Sequence, residues 1–209
     1  MTEIKICGIT NLEDALLSAE SGADALGFNF YSKSPRHISP ENARVIVEQL
    51  PAGVAAVGVF VNCKTTSVAA SARVAKLDAV QLHGTESPEF VLELREILEI
   101  PVIKAFRISD VFELDDLLRF DVDTILLDAY SPAAYGGTGE TFDWAIAKQV
   151  RRIFPKMYLA GGLSPENVRS AVTEVRPFAV DACSSLEISP GKKDPEKLRR
   201  FIAEAKGND

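Results

Sequence analysis

Along the chain, short apolar runs rich in β-branched residues alternate with longer stretches whose apolar positions return every three or four residues. The first run spans Glu3 to Cys7, and Leu12, Ala15, Leu16 and Ala19 follow it at helical spacing. Strands are predicted at about 3–7, 24–30, 54–61, 78–83, 101–106, 122–128, 156–160 and 177–183. Most are continuously apolar, the pattern of a parallel sheet covered on both faces. Helices fill most of the gaps, and their starts repeat one idiom: Ser39-Pro40-Glu41, Ser87-Pro88-Glu89, Ser164-Pro165-Glu166 and Asp194-Pro195-Glu196. Each supplies a capping oxygen, a proline at the first helical position and an acid in the first turn. Thr10-x-x-Glu13 reads as a capping box and Gly22 as the end of its helix. The helix around Val111 to Phe120 has the weakest pattern. Eight strand-then-helix units predict an α/β protein, a (β/α)8 barrel forming one domain over residues 1–209. A doubly wound open sheet is the alternative, but no Gly-x-Gly-x-x-Gly follows the first strand.

In a barrel the carboxyl ends of all strands surround one mouth, so residues far apart in sequence pool there. Cys7 ends the first strand, beside Gly8. Period-2 alternation puts Lys5 on the same face as Cys7, where its charge would favour a thiolate or meet an anionic ligand. A free cysteine is as often a small buried hydrophobe. Arg36, in the second loop, carries a planar fork suited to a carboxylate, or is a solvated loop arginine. The fourth strand ends in Gln81-Leu82-His83-Gly84, where His83 reads first as a buried, hydrogen-bonded ring and second as a site residue. Asp128 follows an apolar run, and a carboxyl group so placed tends to hold its proton, which suits a general acid. Its competing roles are a helix cap or a partner for Lys104. Gly161-Gly162 before a capped helix reads alone as a plain tight turn, but with Ser184 and Ser185 in the neighbouring eighth loop a phosphate cradle is the favoured reading.

A formal charge of −7 argues against nucleic acid as a partner but not against a small anionic substrate, which responds to local charge. No apolar run is long enough to span a bilayer and no signal pattern opens the chain, so a cytoplasmic protein without membrane contact is expected. Three cysteines (Cys7, Cys63 and Cys183), odd in number and widely spaced, give neither a disulfide framework nor a zinc pattern.

Six ordered motifs then carry a resemblance over nearly the whole chain. They are Lys5-Ile6-Cys7-Gly8-Ile9-Thr10, Ser34-Pro35-Arg36, Val80-Gln81-Leu82-His83-Gly84, Leu126-Leu127-Asp128, Gly136-Gly137-Thr138-Gly139 with Phe142-Asp143-Trp144, and Ala160-Gly161-Gly162-Leu163. Together they resemble the phosphoribosylanthranilate isomerases of tryptophan biosynthesis. The resemblance implies a barrel that uses no cofactor or metal, and an Amadori rearrangement of N-(5-phosphoribosyl)anthranilate. It implies that Asp128 is the general acid at the furanose ring oxygen and Cys7 the base at C2. Arg36 would contact the anthranilate carboxylate, and loops seven and eight, with Gly161, Gly162, Ser184 and Ser185, would hold the phosphate, while Asp181 is expected among the substrate-binding residues. His83 joins the substrate-binding set. The glycine-rich sixth loop, residues 131–141, is expected to close over the site.

One departure stands out. The family usually reads Val-Asp-x-Ser-Ser-Gly-Val-Glu in the eighth loop, whereas Val180-Asp181-Ala182-Cys183-Ser184-Ser185-Leu186-Glu187 puts Cys183 for the first serine and Ser185 for the glycine. If that glycine has positive φ, Ser185 is strained or the loop has shifted, and Ser185→Gly would lower KM. Competing readings are another phosphosugar isomerase or epimerase on the same barrel, and a non-catalytic binder of an anthranilate-like metabolite. The epimerase-type sites resemble histidine and aspartate metal clusters, for which His37 and His83 are too few. A binder needs neither Cys7 nor Asp128. A related histidine-pathway isomerase works with two aspartates, so Cys7 favours the anthranilate substrate, with side activity left open. A monomer or a homodimer is expected.

Overall fold

A computed structural model describes residues 1–109, 112–129 and 144–207. Eight parallel strands close into a barrel in sequence order, β1 pairing with β8 as well as β2. They are β1 (Glu3–Cys7), β2 (Ala25–Asn29), β3 (Ala55–Phe60), β4 (Ala79–Leu82), β5 (Val102–Ile108), β6 (Thr124–Ala129), β7 (Lys156–Leu159) and β8 (Ala179–Ala182). Helices α1 (Leu12–Ser21), α2 (Pro40–Val47), α3 (Thr65–Ala75), α4 (Pro88–Ile97), α5 (Asp115–Leu118), α6 (Trp144–Ile153), α7 (Val168–Val175) and α8 (Pro195–Lys206) lie between and after them. The open-sheet alternative is thereby excluded. No helix among the described residues is long and apolar enough to cross a membrane.

The strands are apolar on both faces because each face buries something. Ile4, Ile6, Leu26, Phe28, Val80, Leu82, Leu127 and Val180 point outward, packing under the helices. Ala25, Val57, Ala79, Ile103, Ala105, Leu126, Tyr158, Ala160 and Ala179 fill the barrel's inside. Register then fixes what shares a layer. Cys7 is level with Gly27 and Val57, Lys5 with Asp181, and Arg107 with Asp128.

Three of the four helix starts form as the idiom predicts: Ser39 accepts from the Asn42 N–H, Ser87 from Phe90, and Asp194 from Glu196 and Lys197. At Ser164 the chain first makes a turn in which the Asn167 and Val168 N–H groups both bond the Ser164 carbonyl, so α7 begins three residues later than the motif suggests. The expected Thr10 capping box is displaced by one residue. Asn11 caps α1 through the Asp14 N–H and donates back to the Asp14 carboxylate, while the Thr10 hydroxyl bonds the Gly191 carbonyl at 2.6 Å. Gly22 ends α1 at φ 103°, as expected. The weakly patterned fifth helix is a single turn. β5 runs to Ile108, beyond its predicted end, and so carries Arg107 to the mouth. After β8 comes an unanticipated 3-10 turn (Ser184–Leu186) and a hairpin of β9 (Glu187–Ser189) and β10 (Lys192–Lys193). The predicted closing loop at 131–141 lies outside the described residues.

Candidate functional site

The mouth is assembled by strand ends that the sequence leaves far apart. At Gly8 the chain leaves β1 with φ 78°, and the Gly8 and Ile9 N–H groups both bond the Gly27 carbonyl. A side chain at Gly8 would meet Arg36 Cδ and Cys183 Sγ, each 2.8 Å from its Cβ, so glycine is required for this close packing. The two cysteines that flank this turn are half-buried. Their thiols interact: a hydrogen bond from Cys183, with the nearby Lys5 and Lys193 ammonium groups, holds the Cys7 thiol well below its ordinary value against the opposing effect of burial. The same bond, with burial, drives Cys183 well above its own. Cys183 has a second acceptor in Glu187 Oε1 at 3.8 Å, but that oxygen already accepts from Arg36 and Lys193.

Arg36 does not wave in solvent. Its Nε bonds Glu187 Oε1 and Oε2 at 2.9 and 3.0 Å, and Nη2 bonds Oε2 at 2.8 Å. Nη1 takes no part in this fork. Burial raises Glu187, yet the Arg36 hydrogen bonds and the Lys193 charge outweigh it and hold the carboxyl below its ordinary value. Two cations thus share one carboxylate, which leaves net positive charge beside loop two. Lys193 is wholly buried; its ammonium reaches the Cys7 carbonyl at 2.6 Å, the Cys183 carbonyl at 3.3 Å and Glu187 Oε1 at 3.1 Å. Neither Lys193 nor Glu187 was singled out in the sequence.

Below Cys7, Lys5 points into the barrel, where its Nζ lies 3.0 Å from each Asp181 oxygen. Burial opposes the Lys5 charge, but Asp181 and Cys7 prevail and keep it protonated. Cys7 Sγ and Lys5 Nζ both pack on Gly27, 2.6 and 3.1 Å from where its Cβ would be. Asp181, expected among the substrate-binding residues, thus has its oxygens engaged on Lys5 at the floor of the mouth.

Across the barrel Asp128 is buried at the end of β6, and its Oδ2 lies 3.1 Å from His83 Nε2. Gln81 Nε2 lies 2.7 Å from His83 Nδ1. With that amide donating, the proton of a neutral ring sits on Nε2 and points at Asp128. The bland reading of His83 as a hydrogen-bonded ring and its reading as a site residue therefore coincide. Lys104 is on the opposite face of its strand and pairs with Glu86 at 2.9 Å, not with Asp128. Arg107, half-buried beside Asp128 in register, was missed because the predicted fifth strand stopped short of it.

Between these groups on the rim lie loops seven and eight. Gly161 and Gly162 adopt φ 82° and 63°, and a Cβ on Gly161 would come within 2.4 Å of the Ala129 nitrogen. Asn167 braces the turn, donating to the Gly162 carbonyl at 2.9 Å and accepting from the Ser164 N–H at 2.8 Å. The expected strain at Ser185 is absent: it lies in the 3-10 turn, and the described non-glycine residues with positive φ are Asn62, Lys76 and Arg176. Its hydroxyl donates to the Leu163 carbonyl, tying loop eight to loop seven. Ser184 opens the same turn. Among the described residues no three His, Cys, Asp or Glu side chains are grouped to hold a metal ion.

Going round the rim, the order is Asp128 after β6, the glycine pair after β7, the serines after β8, Cys7 on β1 and Arg36 after β2. The Asp128 carboxyl and the Cys7 thiol are thus separated by the turns of loops seven and eight, with the cluster of Arg36, Lys193 and Glu187 beyond the thiol. The family model described as N-(5'phosphoribosyl)anthranilate (PRA) isomerase matches residues 4–204. A curated N-(5'-phosphoribosyl)anthranilate isomerase of Geobacter sulfurreducens is 51% identical over 207 residues, covering 99% of this chain and 100% of the relative. The crystal structure of phosphoribosyl anthranilate isomerase from Thermotoga maritima superimposes with a TM-score of 0.88 at 49% identity, covering 99% of this chain and all of that one. A solved phosphoribosyl anthranilate isomerase in complex with reduced 1-(o-carboxyphenylamino)-1-deoxyribulose 5-phosphate gives 0.85 at 48% identity, again over 99% of this chain and all of the other. With matches that run from one end of the barrel to the other, this chain belongs to the phosphoribosylanthranilate isomerase family.

Proposed function

We propose that the chain converts N-(5-phosphoribosyl)anthranilate to 1-(2-carboxyphenylamino)-1-deoxyribulose 5-phosphate in tryptophan biosynthesis, with Asp128 as general acid and Cys7 as general base. The observation that carries the residue roles is the order around the rim, where the anion cradle of loops seven and eight falls between Asp128 and Cys7. A substrate anchored by phosphate at Gly161, Gly162, Ser184 and Ser185 extends its ribose across the mouth between the two groups. Asp128 protonates the furanose oxygen, and the ring opens to a Schiff base. Cys7, held as thiolate by Cys183, Lys5 and Lys193, takes the C2 proton. The enolamine that results tautomerises to the ketone. Arg36, locked through Nε and Nη2 by Glu187, presents Nη1 to the anthranilate carboxylate. His83 orients Asp128, and Asp181 acts from the floor by holding Lys5 beneath the thiolate. We place the enzyme in the cytoplasm, where its three free cysteines stay reduced, as a monomer or homodimer.

Turnover of phosphoribosylanthranilate, generated in place and followed by loss of its fluorescence, tests the roles. Cys7→Ser and Asp128→Asn are each expected to lose about 10²-fold or more in kcat with little change in KM. Retention of kcat by either folded variant removes that residue from its role.

A further inference from the structure

The eighth loop carries Cys183 where the resemblance leads one to expect serine, and this puts a second sulfur against the proposed base. β1 and β8 are hydrogen-bonded in parallel register through Ile6↔Ala182, and Cys7 and Cys183 are the residues that directly follow this last pair. Facing residues on neighbouring strands lie about 4.8 Å apart, inside the roughly 4.4–6.8 Å Cα window of a disulfide. One ammonium, Lys193 Nζ, holds both carbonyls, Cys7 at 2.6 Å and Cys183 at 3.3 Å, which fixes the two backbones relative to each other. Cys183 Sγ packs over the turn that directly follows Cys7, 2.8 Å from where a Gly8 Cβ would be, and both cysteines are half-buried, so a small oxidant in the mouth reaches them. Cys63, the remaining cysteine, is elsewhere, packed after β3 with its thiol on the Val61 carbonyl.

We propose that Cys7 and Cys183 are a modification site, a vicinal pair that a peroxide converts to a reversible disulfide and thereby switches catalysis off. The Cys7 thiolate attacks one peroxide oxygen; the O–O bond breaks, hydroxide leaves, and Cys7 becomes a sulfenic acid while the peroxide is reduced. The Cys183 sulfur then attacks the Cys7 sulfur. The S–O bond breaks, the S–S bond forms, and the departing hydroxide leaves as water with the Cys183 proton. Two thiols and one peroxide thus give one disulfide and two waters, and a dithiol reductant reverses the bond by exchange. The groups that make Cys7 a base, the Lys5 and Lys193 charges and the Cys183 hydrogen bond, are the ones that make a cysteine reactive toward peroxide.

The loss of activity rests on Cys7 being the base; the bond itself does not. Purified full-length enzyme is treated with hydrogen peroxide, digested without reduction and mapped by mass, and activity is followed in parallel before and after dithiothreitol. The expected result is a Cys7–Cys183 cross-linked peptide that accumulates in step with activity loss, both reversed by the reductant. In Cys183→Ser, each activity being referred to its own untreated sample, Cys7 has no resolving thiol and proceeds to sulfinic acid, so dithiothreitol no longer restores it. Absence of the cross-linked peptide while Cys7 oxidises further in the wild type overturns the proposal whatever the role of Cys7. A cross-link formed with activity intact overturns the switch and, separately, removes Cys7 from catalysis.

Discussion

Replacing Cys183 by alanine removes the hydrogen bond that favours the ionised form of Cys7 and leaves Lys5 and Lys193 in place. A hydrogen bond to a charged group contributes about 1.5–3 kcal/mol, and each 1.4 kcal/mol is about tenfold in an equilibrium. The ionised fraction of Cys7 on the acid side of its titration should therefore fall by about 10- to 100-fold, and kcat/KM with it. On the alkaline plateau, where the thiol is ionised in both proteins, the variant should match the wild type or slightly exceed it, its base being stronger. The assay is kcat/KM for phosphoribosylanthranilate across pH, for wild type, Cys183→Ala and Cys183→Ser. The serine retains an O–H donor and should stay close to the wild-type acid limb. An acid limb unmoved in Cys183→Ala, or a loss equal at every pH, would refute the reasoning, since simple damage to packing lowers all points alike.

Glu187→Gln tests the clamp on Arg36. The Glu187 carboxyl lies below its ordinary value when folded, so its stabilisation is complete above the unfolded value near 4.5 and is lost as pH falls through the folded one. The variant should be less stable than wild type at neutral pH by about 1.5–3 kcal/mol, and the gap should narrow toward low pH, as read by urea melts at several pH values. For Ser185→Gly the expectation from the motif reverses. With no positive φ to relieve and a hydroxyl bonded to the Leu163 carbonyl, the substitution should raise KM and lower stability by about 1–2 kcal/mol, one hydrogen bond plus the glycine entropy cost, by steady-state kinetics and thermal melts.

The barrel was legible because burial on both faces leaves strands that are short, apolar and β-branched, and because most helix starts repeat a cap that works locally. Ser39, Ser87 and Asp194 cap as read, each needing only an N–H two or three residues away. Where the outcome depended on a distant group, the reading slipped. Thr10 is drawn off by Gly191, 181 residues on, and Asn11 takes over the cap. Cys7, Asp128 and Arg36 could be picked out because strand ends and their loops are where barrels expose chemistry. What supports them was not visible: Lys5 answers Asp181, Arg36 answers Glu187, and Lys193 answers both Cys7 and Cys183. Each partnership is created by closure of the sheet, and no local spacing encodes it. At Ser185 the motif left two outcomes open, a strained serine or a changed loop, and the backbone excludes the first, since Ser185 lies in a 3-10 turn without positive φ.

The seam between β1 and β8 carries a consequence for how the protein is made. Cys7 leaves the ribosome 186 residues ahead of Lys193, whose ammonium holds its carbonyl. The thiolate's other companions, Cys183 and the Asp181 that anchors Lys5, also arrive with the eighth strand. A nascent chain therefore carries an ordinary, unactivated cysteine until residues 181–193 have been made and have reached it. Reactivity arrives with closure, so that among newly made molecules it marks those in which the first and last strands have met.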